Sequence, residues 1–215
     1  MTMTTPTRKR VRGNPTERRE QILDEAMRLI GERGYYGFSI RELAQRCQLT
    51  DPGLLHYFGS KEKLLIALLE DCDRKGGEAV RAMTGLGTVA DQLTFEQLQA
   101  IYRAILRRNI AQPELMRFYA TLRAEAMNPD HPAHDFFKKR HATVVGNFAR
   151  PLAELVPSPQ STALLLQSMM RGLEMEWMRA GRSFDLISEW DRAFDLLIPA
   201  TARGAPTAQP DRGST

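Results

Sequence analysis

The segment RELAQRCQLTDPGLLHYFGSKEKLL, residues 41–65, breaks helix-forming sequence twice, with Thr-Asp-Pro-Gly and then with Gly-Ser-Lys. Neither break reads as a long loop. Thr50 is a good N-cap residue, and Asp51, Pro52 and Gly53 suit a first helical turn, where proline is tolerated because that backbone N–H has no helical partner. A short helix is therefore expected from Asp51, with Leu54 and Phe58 on its buried stripe and Leu55, His56 and Tyr57 away from it or along its edges. Ser60 caps the next helix, whose apolar face is Leu64, Leu65, Leu68 and Leu69. Upstream, Ser39 with Glu42 three residues later has the capping-box pattern ahead of Ile40, Leu43, Ala44 and Cys47. Asn14, Pro15 and Glu17 open a longer helix carrying Ile22, Ala26, Leu29 and Ile30, which Gly34 stops. Four capped helices, the second and third separated only by Gln48 and Leu49, describe a small bundle containing a helix-turn-helix.

After Asp73 the pattern lengthens. Lys75-Gly76-Gly77 is expected to interrupt or end the fourth helix, and Gly85-Leu86-Gly87-Thr88 to break the chain. Helical periodicity then covers residues 95–111, 114–127, 133–155, 159–180 and 186–198, divided by turn signals rich in Pro, Gly, Asn and Ser. Alternating strand patterns are missing, so the expected fold class is all-α. Residues 1–13 read as a flexible basic arm. Residues 200–215, rich in Ala, Pro, Gly and Thr, read as a disordered tail.

Charge is unevenly spread. Residues 8–63 hold 12 Lys/Arg against 8 Asp/Glu, while the rest of the chain balances at 18 against 18, so the net +4 lies wholly in the first third. Such a segment either faces a polyanion or is a solvated basic tail. The basic N-terminus has no apolar run behind it, and no stretch approaches the roughly 18 apolar residues of a membrane span, so no membrane partner and a cytoplasmic location are expected. Cys47 and Cys72 have no metal-type spacing and read as reduced core fillers. Glu-x-x-His pairs, a phosphate-cradling glycine loop and a nucleophile elbow are all missing, so no catalytic residue and no cofactor are expected. The run from Asp130 to Asp135, with His131 and His134, has metal-ligand residue types but reads equally as a loop and helix cap, and no metal site is assigned.

Residues 19–69 resemble the DNA-binding domain of TetR-type bacterial transcriptional regulators, through RGYYGFSIRELA and above all the HYFGSKEKL ending. The resemblance implies a three-helix helix-turn-helix domain at residues 14–59, joined by a linking helix to a C-terminal helical ligand-binding and dimerisation domain within 60–199. The implied function is sequence-specific transcriptional regulation, most often repression relieved by a small, largely apolar effector. The implied partners are a palindromic double-stranded DNA operator and a second copy of the chain. A ligand-independent DNA-binding or architectural protein is the alternative, and a helical enzyme a more distant one.

By the same resemblance, Arg41, Thr50, Asp51, Pro52 and Gly53 occupy base-reading positions, where arginine pairs with guanine and short side chains reach base edges. Ser39, Tyr57 and Lys61 correspond to phosphate contacts, with His56 on the same surface. Leu55 replaces a frequent tyrosine, so one phosphate contact is expected to be missing or replaced by apolar contact with sugar or a thymine methyl. Gln48 stands where a turn glycine is common and is strained if its φ is positive. The arm around residues 8–12 either enters the minor groove or hangs free. For the seam between two copies, the apolar faces nominate Leu165, Met169, Gly172, Trp177, Trp190, Phe194 and Leu197. For the effector, Phe118, Leu122, Phe137, Met169 and Met170 are nominated as lining, with Glu125 and His141 as polar handles.

Overall fold

Asn14 opens the first helix, α1 (Pro15–Arg33), by accepting the Thr16 N–H at 3.1 Å, and Gly34 closes it at φ 75°, a conformation that favours glycine. The computed structural model describes residues 14–86 and 93–198, and the secondary structure among these is entirely helical. The expected arm at 1–13, the expected tail at 200–215 and the Gly87-Thr88 half of the expected break lie outside the described residues. Helices α2 (Ile40–Arg46), α3 (Asp51–Phe58) and α4 (Lys61–Thr84) each begin with a cap hydroxyl, from Ser39, Thr50 and Ser60, accepting a backbone N–H three residues on. Gly53 serves that arrangement, because a Cβ there would stand 3.0 Å from Thr50 Oγ1.

One expected break does not occur. Helix α4 runs unbroken through Lys75, Gly76 and Gly77 and stops only where Gly85 turns left-handed at φ 68°. Packing overrides the local preference: Leu64, Leu65, Leu68, Leu69 and Cys72 sit in one hydrophobic core and Val80 in another, which outweighs roughly 1 kcal/mol per helical glycine. The chain continues as α5 (Phe95–Ala111), α6 (Pro113–Glu125), α7 (His134–Leu152), α8 (Pro159–Arg179) and α9 (Leu186–Leu197). The helix expected over 133–155 ends early, one residue past Pro151.

The two cores explain the layout. The first joins α1, α2, α3 and the N-terminal half of α4 with Leu115, Phe118, Tyr119 and Leu122 of α6. The second joins the end of α4 with α5, α7, α8 and α9 around Tyr102, Phe148, Trp190 and Phe194. Only α4 and α6 among the described helices supply buried residues to both. Helix α6 lies hard against α1, where a Cβ on Gly31 would meet Phe118 N at 3.3 Å. Arg103 binds Asp191 with two hydrogen bonds, at 2.8 and 2.9 Å, tying α5 to α9. Cys47 and Cys72 are free and buried, and burial pushes the Cys72 thiol up to about 12, far from the thiolate form that reacts.

Candidate nucleic-acid interface and effector cavity

The turn between α2 and α3 sets the aim of α3. Gln48 sits at φ 53°, strained for a side chain that is not glycine by roughly 1 kcal/mol. Arg18 of α1 supports the turn from behind, donating to Cys47 O at 2.7 Å and Gln48 O at 3.5 Å. On α3, Leu54 and Phe58 are buried, Pro52 and His56 exposed, and Asp51, Gly53, Leu55 and Tyr57 intermediate. Arg41 is exposed in the first turn of α2 and makes no hydrogen bond or ion pair among the described residues. The nearby carboxylates are neutralised elsewhere: Arg46 pairs with Glu25 at 3.0 Å and Glu42 at 3.4 Å, and Arg33 with Glu42 at 2.8 Å. The cap hydroxyls of Ser39 and Thr50 accept from the backbone, which leaves each O–H free to donate outward. Lys61 is already engaged. Its ammonium donates to Phe38 O at 2.6 Å and lies over the Tyr35 and Phe38 rings, and burial lowers its pKa. It thus ties the start of α4 to the loop that ends in Ser39.

A second tie reaches from α6. Glu125, its last residue, accepts the Tyr35 N–H at 2.9 Å, and Gly34 makes that approach possible because a Cβ there would overlap Glu125 Oε1. Beside it, His131 accepts the Ala133 N–H on Nδ1 at 3.1 Å, which puts the imidazole proton on Nε2, 3.5 Å from Glu125 Oε2 but without hydrogen-bond geometry. Burial lowers the His131 pKa, so the ring is neutral. His134 turns its Nδ1 to Ala126 O at 2.9 Å, so the two histidines brace a turn and do not converge on a common point.

Between the two cores lies a cavity of about 760 Å³, walled by α4, α5, α6, α7 and α8. The glycine pair of α4 lines it: a Cβ on Gly76 would come within 3.2 Å of Arg108 Nη1, and around Gly77 there is open space. Apolar side chains share the wall with six arginines and two carboxylates. Asp73 is taken up by Arg140, whose Nε lies 2.8 Å from both its oxygens, and by the Tyr119 hydroxyl at 3.1 Å. Glu174 accepts from Asn109 Nδ2 at 2.6 Å, and burial raises its pKa. Arg123 lies 5.0 Å over the Tyr119 ring with no hydrogen bond or ion pair among the described residues. Burial, then repulsion from Arg171 and Arg140, pulls its pKa down to about 10.

Residues 22–68 match the model of the tetR family of bacterial regulatory proteins. The HTH-type transcriptional regulator in the dhlA 5′ region of Xanthobacter autotrophicus is 25% identical over 173 residues, 79% of this chain and 84% of that protein. The HTH-type transcriptional regulator BetI of Rhizobium meliloti is 31% identical over 114 residues, 53% of this chain and 54% of its own length. The Bacillus subtilis regulator FadR, solved in complex with stearoyl-CoA, superposes at TM-score 0.67 with 16% identity, over 83% of this chain and 97% of that one, a likeness of fold. The chain is a TetR-type transcriptional regulator. This family is one of regulators and not of enzymes, and its members bind DNA as dimers.

In this TetR-type regulator the nominated effector residues scatter. Met170 lines the cavity. Phe118 and Leu122 are buried in the first core, because the apolar stripe of α6 faces α1, and Phe137 packs on the same core. Glu125 is occupied by Tyr35, His141 is exposed, and Met169 is 39% exposed on the outside of α8. Arg123, Arg171 and Glu174 were not foreseen, although Arg171 and Glu174 visibly interrupt the apolar run ALLLQSMMRGLEMEW. The nominated seam divides as well. Leu165, Met169 and Gly172 are exposed along α8. Trp177, Trp190 and Phe194 are buried in the protomer's own second core, with Leu197 packed against it, because α9 turns Leu186, Trp190 and Phe194 inward. The outward apolar residue of α9 is Leu196, 87% exposed, which the sequence reading passed over.

Proposed function

We propose that this regulator is a homodimeric repressor whose two α3 helices enter successive major grooves of a palindromic operator, and that a small molecule in the central cavity releases it. The observation that carries this reading is the sharing of α4 and α6 between the DNA-reading core and the cavity wall. A ligand that displaces either helix disturbs the Glu125 grip on Tyr35 or the Lys61 grip on Phe38, and with them the loop that presents Ser39. Release requires only that the ligand prefer the dimer whose recognition helices are mis-spaced. Relatives named as repressors, the AcnR proteins of two Corynebacterium species, are 35% identical over 66 residues, which supports repression as the sign.

In this reading Arg41 donates to a guanine, and Thr50, Asp51, Pro52 and Gly53 bring the start of α3 to base edges. Ser39, Tyr57 and His56 hold phosphates, and Leu55 packs on sugar or a thymine methyl. Lys61 adds charge near the backbone while its amine holds Phe38. The exposed Leu165, Met169 and Gly172 of α8, together with Leu196 of α9, form the seam with the second copy.

Selecting bound duplexes from a random pool yields the operator and tests the reading. Arg41→Ala then costs about 1–3 kcal/mol on the selected site and relaxes preference at one position per half-site. Lys61→Ala weakens all sequences alike and reduces the salt slope by about one. A pool that yields no palindrome, or two variants with the same effect on selected and random DNA, would overturn these assignments.

A further inference from the structure

The cavity holds more positive charge than its own residues can neutralise. Of its two carboxylates, Asp73 belongs to Arg140 and Tyr119, and Glu174, held by the Asn109 amide, attracts both Arg123 and Arg171 but forms an ion pair with neither, so one carboxylate faces two guanidiniums. Arg123 and Arg140 stand over the same Tyr119 ring, at 5.0 and 5.2 Å. Arg171 joins them from α8, and burial with repulsion from Arg140 lowers its pKa too. A guanidinium drawn partly out of water without an ion pair is costly, and a wall that served packing alone is better made of methionine or leucine. The remaining wall supplies those apolar surfaces, among them Val80, Met116, Phe148 and Met170.

We infer that the effector is an amphiphilic organic anion whose carboxylate or phosphate lies between Arg123 and Arg171, with its apolar body against Met116, Phe148 and Met170. This rests on the reading of the cavity as the effector site and adds the ligand's charge. An anion restores the missing counter-charge through charge-assisted hydrogen bonds, which planar guanidinium forks make with both oxyanion types. A cationic ligand meets the same arginines as repulsion. Because Arg123 is on α6 and Arg171 on α8, the anion draws on α6, the helix that ends on Glu125.

A matched pair of fluorescent probes tests this on the full-length protein: 8-anilinonaphthalene-1-sulfonate and N-phenyl-1-naphthylamine, the same aromatic body without the sulfonate. The sulfonate probe is expected to bind about tenfold more tightly or better, the value of a hydrogen bond to a charged group. Arg123→Met and Arg171→Met each remove that advantage and leave the neutral probe bound, which also reports that the variants are folded. Gly77→Met, which fills the cavity from α4, excludes both probes. Dodecanoate and dodecyl phosphate displace the sulfonate probe, their ratio telling carboxylate from phosphate, while dodecyltrimethylammonium does not. Equal affinity for the two probes, or displacement by the ammonium, overturns the anion and leaves the cavity as a binding site. Binding that survives Gly77→Met, or no binding of either probe, overturns the cavity reading together with the anion.

Discussion

A double variant, Leu165→Glu with Leu196→Glu, is expected to sediment as a single 24.4 kDa chain where the parent sediments as two, and to lose operator affinity by about a hundredfold or more. Leu165 is 53% and Leu196 87% exposed, so neither glutamate disturbs the protomer. In the seam, however, each meets its counterpart's surroundings twice, once per copy, and a buried unpaired carboxylate is not tolerated. The affinity loss follows from valency. With both heads on one body, the second half-site is bound at the high local concentration set by the first, and separating the copies forfeits that factor. The two readouts must move together. A variant that keeps the parent's mass removes the outer faces of α8 and α9 from the seam, and a monomer with undiminished affinity removes the need for two heads.

Trp190→Ala is expected to destabilise the fold by about 3–5 kcal/mol, read as a lower urea midpoint. Trp190 is fully buried, with its ring centroid 4.8 Å from that of Tyr102 and 5.7 Å from that of Phe194. Its indole N–H finds no acceptor among the described residues, an uncompensated cost already present in the native protein. Trp190→Phe therefore loses much less than the alanine variant, since it removes that orphan donor and keeps an aromatic ring. If alanine cost no more than phenylalanine, the indole would not be the keystone of the second core. A seam role predicts a different pattern, with mass falling and the protomer's own unfolding unchanged.

The head of the molecule was legible residue by residue because capping is local chemistry. Asn14, Ser39, Thr50 and Ser60 each accept the N–H that their sequence neighbourhood offers, and Leu54 and Phe58 turn inward on a simple four-residue spacing. The Gln48 strain was also foreseeable, though the Arg18 support was not, since it joins residues distant in sequence. The cavity and seam were much less legible. An apolar stripe announces that α6 has a buried face but not that α1 covers it, so Phe118 and Leu122, nominated as cavity lining, pack in the first core instead. Likewise Trp190 and Phe194 share one face of α9 whether that face meets a partner or its own protomer. The glycine pair of α4 misled for the opposite reason: its local signal is that of a stop, and only the tertiary frame makes it a bare patch of helix beside Arg108.

The grip of Glu125 on the Tyr35 amide bears on modularity. It needs an acid at the last position of one helix and a residue without a side chain at position 34, two features that lie on different halves and would be inherited separately. A chimaera that grafts a foreign sensor onto this reading head would therefore stay deaf to its inducer even where the incoming helix refills the apolar places of Leu115, Phe118, Tyr119 and Leu122, unless that helix also finishes on a carboxylate.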